Sequence, residues 1–453
     1  MKLPVTAIFD IGKTNKKFLL FDEDFNEIHR RYTTLPETED EDGFVCEDLP
    51  ALTQWMRNTL QKAVESKDFQ VARLNISTYG ASLVHLDAQQ NPVAPLCNYL
   101  KPLPAALKDD FYAMVGGQEK FCLQTASPAL EMLNSGLQLY WLQREKPAIF
   151  ARIKHSLHLP QYCSWLFSKQ LCSEYTSIGC HTGLWDFGKN GYHDWVKNTG
   201  MEPLLPPILP TTHRIKANVF GHEIVMGMGV HDSSAALLPY LLTAAEPFVL
   251  LSTGTWNIAF NPFNHEPLTA GELQQDCLNF LRPDGEAVKA SRLFFGNEFN
   301  VQTQRMAAHF NRHEQNYQHT VVFDKNLYQK WKNHGKPVFR WESLQNPGDI
   351  TETDWAAFGT FEDAFHCLMI GLMALQKHSL QLAIGSTPVR KIFVDGGFSQ
   401  SDVFINLLLR EMPGYEIIVS SSPLGSSLGA TLLVQDRDDG KTYGFEQNRV
   451  SMG

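Results

Sequence analysis

Two apolar spacings take turns along this chain. Short apolar runs closed by glycine or polar residues predict strands over 5–9, 18–22, 71–77, 83–87, 155–159, 391–394 and 417–420. Between them, apolar residues recur every three or four positions. Leu49, Leu52, Met56, Leu60 and Val64, behind the candidate N-cap Asp48, predict one such helix. Others are predicted over 135–146, stopped by Pro147, from Pro160 onward, and over 361–384, 401–412 and 425–434. The 361–384 segment is apolar enough to be expected in an interior. Strands alternating with helices define an α/β protein. The stretch 311–359 departs from this pattern, being rich in Asn, Gln, His and Lys and weakly periodic. It reads as a surface excursion with short elements, its histidines on a solvated face.

A length of 453 residues predicts two or three domains, and 43% hydrophobic with 19% charged residues is the composition of a folded, soluble protein. The net charge of −10 argues against nucleic acid or an anionic membrane as the main partner. An anionic ligand would therefore need a locally favourable site. None of the eight cysteines forms a C-x-x-C pair, so they read as buried thiols of a reducing compartment. No signal-peptide pattern precedes Asp10, and the longest apolar run, 367–375, is far shorter than a membrane span. These features lead to the expectation of a cytoplasmic protein.

Candidate chemistry lies at two turns and one acid. Asp10-Ile11-Gly12-Lys13-Thr14-Asn15 forms the tip of a predicted hairpin. Asp10 could hold Mg²⁺ directly or through water, Gly12 lets backbone approach a phosphate, and Thr14 and Asn15 can donate to it. Ala7 to Thr14 also fits a relaxed P-loop pattern. However, Ile8 and Phe9 belong to a strand, and a second strand follows where a P-loop needs a helix. In mid-chain, Asp232 follows Gly227 and Gly229 and is a candidate general base, although an Asp before an apolar helix also serves as a plain cap. Thr253-Gly254-Thr255 ends a strand-like run and could seat phosphate oxygens or simply form a turn. Asp395-Gly396-Gly397 offers backbone that could lie flat against an adenine or ribose. The echo of Asp10-Ile11-Gly12 in Ser252-Thr253-Gly254 suggests two α/β halves.

In this order, Asp10 to Thr14, Gly229 to Asp232, Thr253 to Thr255, Asp395 to Gly397 and Leu428 to Ala430 resemble the motifs of the FGGY carbohydrate kinases, members of the actin-like ATPase superfamily. The likeness spans almost the whole chain. His231-Asp232, Trp256 and Glu174-Tyr175-Thr176 are most similar to rhamnulokinases and related deoxyketose kinases. The resemblance implies two actin-like (ribonuclease H-like) domains, with mixed sheets flanked by helices and an interdomain active-site cleft. Residues 1–238 would bind sugar and carry the first phosphate motif, and 239–453 would bind ATP. Asp232 would be the catalytic base and Asp10 would sit by Mg²⁺. Gly12, Lys13, Thr14, Asn15, Thr253, Gly254 and Thr255 would contact ATP phosphates. Gly396 and Gly397 would lie beside the adenosine, with Asn297 also on the nucleotide side. Gly80, Ala81, Ser82 and His231 would face the sugar.

Three positions depart from the family pattern: Lys13 replaces a small residue or Thr, Ser82 an Asp, and Lys101 an Asp. Losing two carboxylates leaves the acceptor open among L-rhamnulose, L-fuculose or a xylulose, another polyol or a sugar acid. A non-catalytic sugar or nucleotide sensor is the rival outside catalysis. The expected partner is a small sugar, bound by a monomer or homodimer.

Overall fold

The computed structural model describes residues 2–313, 316–346, 350–420, 425–436 and 447–450. Two compact units are present. The first comprises Met1–Thr243, His265–Val288 and Leu424–Gly444, and the second Ala244–Asn264, Lys289–Pro423 and Phe445–Gly453. The first change of unit falls just after the 238/239 division expected from the motifs. The later exchanges of chain have no compositional signal.

The first unit holds β1 (Leu3–Ile11), β2 (Lys16–Phe21), β3 (Glu27–Thr33), β4 (Phe69–Thr78), β5 (Arg214–Val219), β6 (His222–Gly227) and β7 (Val230–His231). They form one mixed sheet in the order β5-β6-β4-β1-β2-β3, with β7 also on β4. β1 is buried on both faces. Val5, Ala7, Phe9 and Ile11 pack with Leu52, Met56 and Leu60 of the helix Leu49–Val64. Ile8, with Leu19 and Phe21, packs against Val230, Ala235, Leu238, Ala430 and Leu433. Residues 5–9 therefore read as an apolar run broken only by the buried Thr6, and not as an alternation. Asp48 caps the helix as expected, accepting from the Ala51 N–H at 2.8 Å.

The helices Asp232–Thr243 and Gly425–Val434 cover the second face of this sheet. A Cβ on Gly429 would stand 1.8 Å from the Ala235 carbonyl oxygen, so the two helices meet backbone to backbone. The Asn75 side chain donates to the Ala430 carbonyl (2.9 Å) and Thr6 Oγ1 to Gln435 Oε1 (2.7 Å), which fixes the later helix on the sheet.

The second unit holds β8 (Phe248–Thr253), β9 (Asn257–Asn261), β10 (Ala287–Leu293), β11 (Lys391–Gly396), β12 (Glu416–Ser420) and β13 (Gln447–Val450). They are ordered β10-β9-β8-β11-β12-β13, with β8, β11 and β12 parallel. The helix Phe361–Ile384 is the one among the described residues long and apolar enough to cross a membrane. It is a core helix here, with Phe365, Leu368, Met369 and Leu372 at 0% exposure.

The stretch 311–359 is more than a surface excursion. Trp331, Val338, Phe339, Trp341 and Phe358 are buried in the same core. Trp331 Nε1 donates to Asp363 Oδ1 of the core helix at 2.7 Å. Its histidines His313, His319 and His334 are exposed, as expected.

Candidate active site

In the first unit, Asp10 near the end of β1 lies opposite Lys17 on β2 and Ser77 on β4. Its Oδ2 accepts from Lys17 Nζ (3.1 Å) and from Ser426 Oγ and Ser427 Oγ (3.0 Å each), at the start of the helix Gly425–Val434. The β1–β2 turn is tight, with the Gly12 N–H donating to the Asn15 carbonyl at 3.0 Å. Thr14 and Asn15 are exposed at its tip. Lys13, expected to contact phosphate from this turn, is directed elsewhere. Its ammonium lies 3.4 Å from Glu47, over the rings of Tyr79 (5.7 Å) and Tyr99 (5.3 Å). The same carboxylate also pairs with Lys16, at 3.2 Å.

Asp232 opens its helix directly after β7, which pairs with β4 through Val230 and Ser77, and His231 and Thr78. Its Oδ1 accepts from the Ser233 N–H (2.6 Å) and hydroxyl (3.1 Å), and 32% of the side chain is exposed. Removal from bulk water pushes its pKa up to about 7, the Asp10 charge adds to the rise, and Ser233 and Lys17 oppose it. One carboxylate therefore stands ready to take a proton near neutral pH.

The residues expected to face a sugar around Asp232 are largely enclosed. The His231 ring, 4% exposed, stacks on Phe280 (5.8 Å between centroids, 14° between planes). Its Nε2 lies 3.0 Å from Cys180 Sγ and 3.3 Å from Asp232 Oδ1. Burial drives the pKa of His231 down to about 3, so the ring is neutral. A Cβ on Gly80 would come within 2.6 Å of Cys180 Sγ and 3.1 Å of the His231 ring. Ala81 has a left-handed φ of 61°, and its carbonyl accepts from Gln138 Nε2 at 2.8 Å. Ser82 is 3% exposed. Gly227 and Gly229 are likewise shaped by packing. A Cβ would strike Asn75 Oδ1 at 2.4 Å from the first and the Pro160 carbonyl at 2.3 Å from the second. Lys101 is held by Asp40 (2.6 Å) and Asp42 (2.7 Å) above Trp141.

In the second unit, Thr253 uses its hydroxyl internally. It donates to the Asp395 carbonyl (2.6 Å) and accepts from the Phe398 N–H (3.0 Å). The Gly254 N–H donates to Asn257 Oδ1 at 3.2 Å. Thr255 is exposed, and its hydroxyl makes no hydrogen bond among the described residues. Two glycines let backbone close on this turn. A Cβ on Gly296 would lie 2.0 Å from the Gly254 carbonyl, and one on Gly396 (φ 87°) 1.9 Å from the Thr253 carbonyl. The Asn297 N–H donates to the Thr255 carbonyl (3.2 Å), and its side chain to Ser343 Oγ (3.0 Å). A cavity of about 320 Å³ opens beside the turn, lined by Gly254, Thr255, Gly296, Asn300, Gln318 and Gly397 among others.

Sequence reasoning missed several of these groups. Ser426 and Ser427 follow a glycine at a helix start, a weak sign of an oxygen-binding turn, but nothing in the sequence names Asp10 as their partner. Asn300 and Gln318 line the cavity from segments whose polar residues read as ordinary surface. Cys180 and Phe280 enclose His231 without any spacing that announces it.

No group of three or more His, Cys, Asp or Glu among the described residues could hold a metal ion. Asp10 is outside any such group, with the Ser426 and Ser427 hydroxyls and the Lys17 ammonium on its Oδ2 and the Asp232 carboxylate near enough to feel its charge. That set fits Mg²⁺, which is commonly held by one or two carboxylates, waters and phosphate oxygens.

Residues 5–238 match the N-terminal domain of the FGGY family of carbohydrate kinases, and residues 245–442 match the C-terminal domain of the FGGY carbohydrate kinases. The chain belongs to this family. It is 25% identical over 257 residues to a rhamnulokinase of Halalkalibacterium halodurans, covering 55% of this chain and 52% of that protein. A rhamnulokinase of Klebsiella pneumoniae subsp. pneumoniae is 27% identical over 240 residues, covering 51% and 47%. The chain thus spans about half the length of the curated relatives it matches. Among solved structures, a carbohydrate kinase from Novosphingobium aromaticivorans superposes with a TM-score of 0.81 at 24% identity, covering 99% of this chain and 94% of the other. At this identity, the superposition establishes the shared actin-like fold.

Proposed function

We propose that this protein is an ATP-dependent carbohydrate kinase that transfers the γ-phosphate of ATP to a hydroxyl of a small ketose. The observation that carries this reading is Asp232: a carboxylate one-third exposed, held by Ser233, whose pKa is raised to about 7 beside Asp10. In the proposed reaction Asp232 accepts the proton of the acceptor hydroxyl as its oxygen bonds to the γ-phosphorus. The bond to the bridging oxygen breaks and ADP leaves. Thr14 and Asn15 are phosphate donors in this reading, as is Thr255, with Gly396, Gly397 and Asn297 shaping the adenosine seat beside the 320 Å³ cavity. Magnesium, when bound, would neutralise phosphate charge, with Asp10 as its protein carboxylate.

The rhamnulokinase relatives favour a deoxyketose such as L-rhamnulose or L-fuculose. With Ser82 buried and Lys101 engaged by Asp40 and Asp42, neither position supplies the carboxylate usual in the family. That favours keeping a xylulose, another polyol, a sugar acid or a non-catalytic sensor as alternatives. The mostly buried thiols suit the reducing cytoplasm.

The test is ADP release from Mg·ATP over a panel of ketoses, polyols and sugar acids, beside an acceptor-free blank. Release that depends on one acceptor supports the kinase and names its substrate. Acceptor-independent release would make the chain an ATPase, and silence with ATP bound would favour the sensor.

A further inference from the structure

Glu174-Tyr175-Thr176 has no task in the reading above, yet Glu174 is 0% exposed. Among the described residues it has no cationic partner. A buried carboxyl group is unfavourable unless donors meet its oxygens. Here the donors come from several elements. As N-cap of the short helix Tyr175–Ile178 it accepts from the Thr176 N–H (2.8 Å) and the Ser177 N–H (2.7 Å). Thr211 Oγ1 donates to its Oε2 at 2.6 Å. Gln161 Nε2 approaches its Oε1 at 3.3 Å and the Gly229 carbonyl at 3.2 Å.

The Thr176 hydroxyl also points at Glu174, 2.8 Å from Oε1. A hydroxyl has one proton, so with that proton given to Glu174 it meets other groups only as an acceptor. It accepts the His231 N–H at 3.0 Å. The segment that delivers Asp232 is therefore tied to one carboxyl group at two points, by its Gly229 carbonyl through Gln161 and by its His231 amide through Thr176. Capping a four-residue helix needs only the two N–H contacts. Of the remaining bonds, those through Gln161 and the Thr176 hydroxyl lead to the base.

We propose that Glu174 and Thr176 are positioning residues for the general base, fixing the His231–Asp232 segment through the Thr176 hydroxyl. This rests on the kinase reading. The test compares Thr176→Val, which cannot accept the amide, with Thr176→Ser, which can. In the full chain, Thr176→Val should lower kcat for acceptor-dependent ADP release by about 10–100-fold, since small misplacement of a catalytic group has effects of that order. The KM for ATP should stay unchanged. Exchange of the His231 amide with solvent should accelerate in Thr176→Val, and Thr176→Ser should restore both properties. Wild-type kcat in Thr176→Val, or a serine variant as slow as the valine one, would overturn the proposal. Should Thr176→Val fail to fold, Thr211→Val decides, because it removes a donor from the other side of Glu174. A fall in kcat at constant KM for ATP supports positioning, and unchanged kcat rejects it. Absence of acceptor-dependent release from the unaltered chain sinks the kinase reading separately. Unaltered His231 exchange in Thr176→Val then rejects the positioning role as well.

Discussion

Asp232 owes its pKa first to removal from water and then to its neighbours, which can be altered. Asp232→Asn should lower kcat by about 10²–10⁴-fold with little change in KM for ATP, the usual effect of removing a general base. Steady-state kinetics with the best acceptor would check it, and unchanged turnover would remove Asp232 from that role. Because the base must be deprotonated, acceptor-dependent kcat/KM should rise with pH through about 7. The Lys17 charge pulls that pKa down, so Lys17→Met should move the rising limb to higher pH. A limb that stays put in this variant would dissociate it from Asp232. At this scale the acids were legible, because Asp10 ends a recognisable strand and Asp232 stands between two glycines and an apolar helix. The neighbours that tune them were not. Gly80 reads as a turn glycine, and only the structure shows that its missing Cβ makes room for Cys180 and His231.

Helices and strands position these groups by how closely they meet. The helix Gly425–Val434 brings Ser426 and Ser427 to Asp10 because Gly429 lets it lie on the Ala235 carbonyl. Gly429→Ala should force the pair apart, lowering stability by about 1–3 kcal/mol as overpacking does. Turnover should fall too, since the serines retreat with their helix. Urea unfolding and kcat on the same preparation would check it, and a variant as stable as the parent would contradict so close a crossing. The Leu-Gly-Ala run was legible as a motif and the helix as a pattern, but their crossing partner, 194 positions earlier at Ala235, was not. The 311–359 stretch shows the opposite failure. Trp331, Phe339 and Trp341 stand singly among polar residues, so no period betrays that they share a core with Phe365 and Leu368.

Across the whole molecule, buried histidines set the response to acid. His85, His158 and His231 are held neutral by burial, with pKa values lowered to about 4, 4 and 3 from 6.5. Unfolding lets them take up protons, so their contribution to stability is present above 6.5 and is lost as pH falls toward those values. Asp232, raised from 3.8 to about 7, acts in the opposite sense, favouring the folded state more as pH falls. His193 and His366 are shifted the same way by burial, so the histidines outnumber Asp232 and unfolding takes up protons near pH 5. Tm should therefore fall as pH is lowered from 6.5 to 5. A Tm that rose over this interval would show that other groups dominate.

The first unit is finished by a helix that follows almost all of the second unit in the chain. On a ribosome adding about 5–20 residues per second, that helix emerges roughly 10–40 s after Thr243. Throughout that interval Ile8, Leu19, Phe21 and Val230 lack the cover of Ala430 and Leu433. The nascent first unit thus carries an uncovered apolar face, a natural substrate for chaperones. It also lacks the serines of Asp10, so a chain interrupted before residue 425 cannot complete that carboxylate's setting.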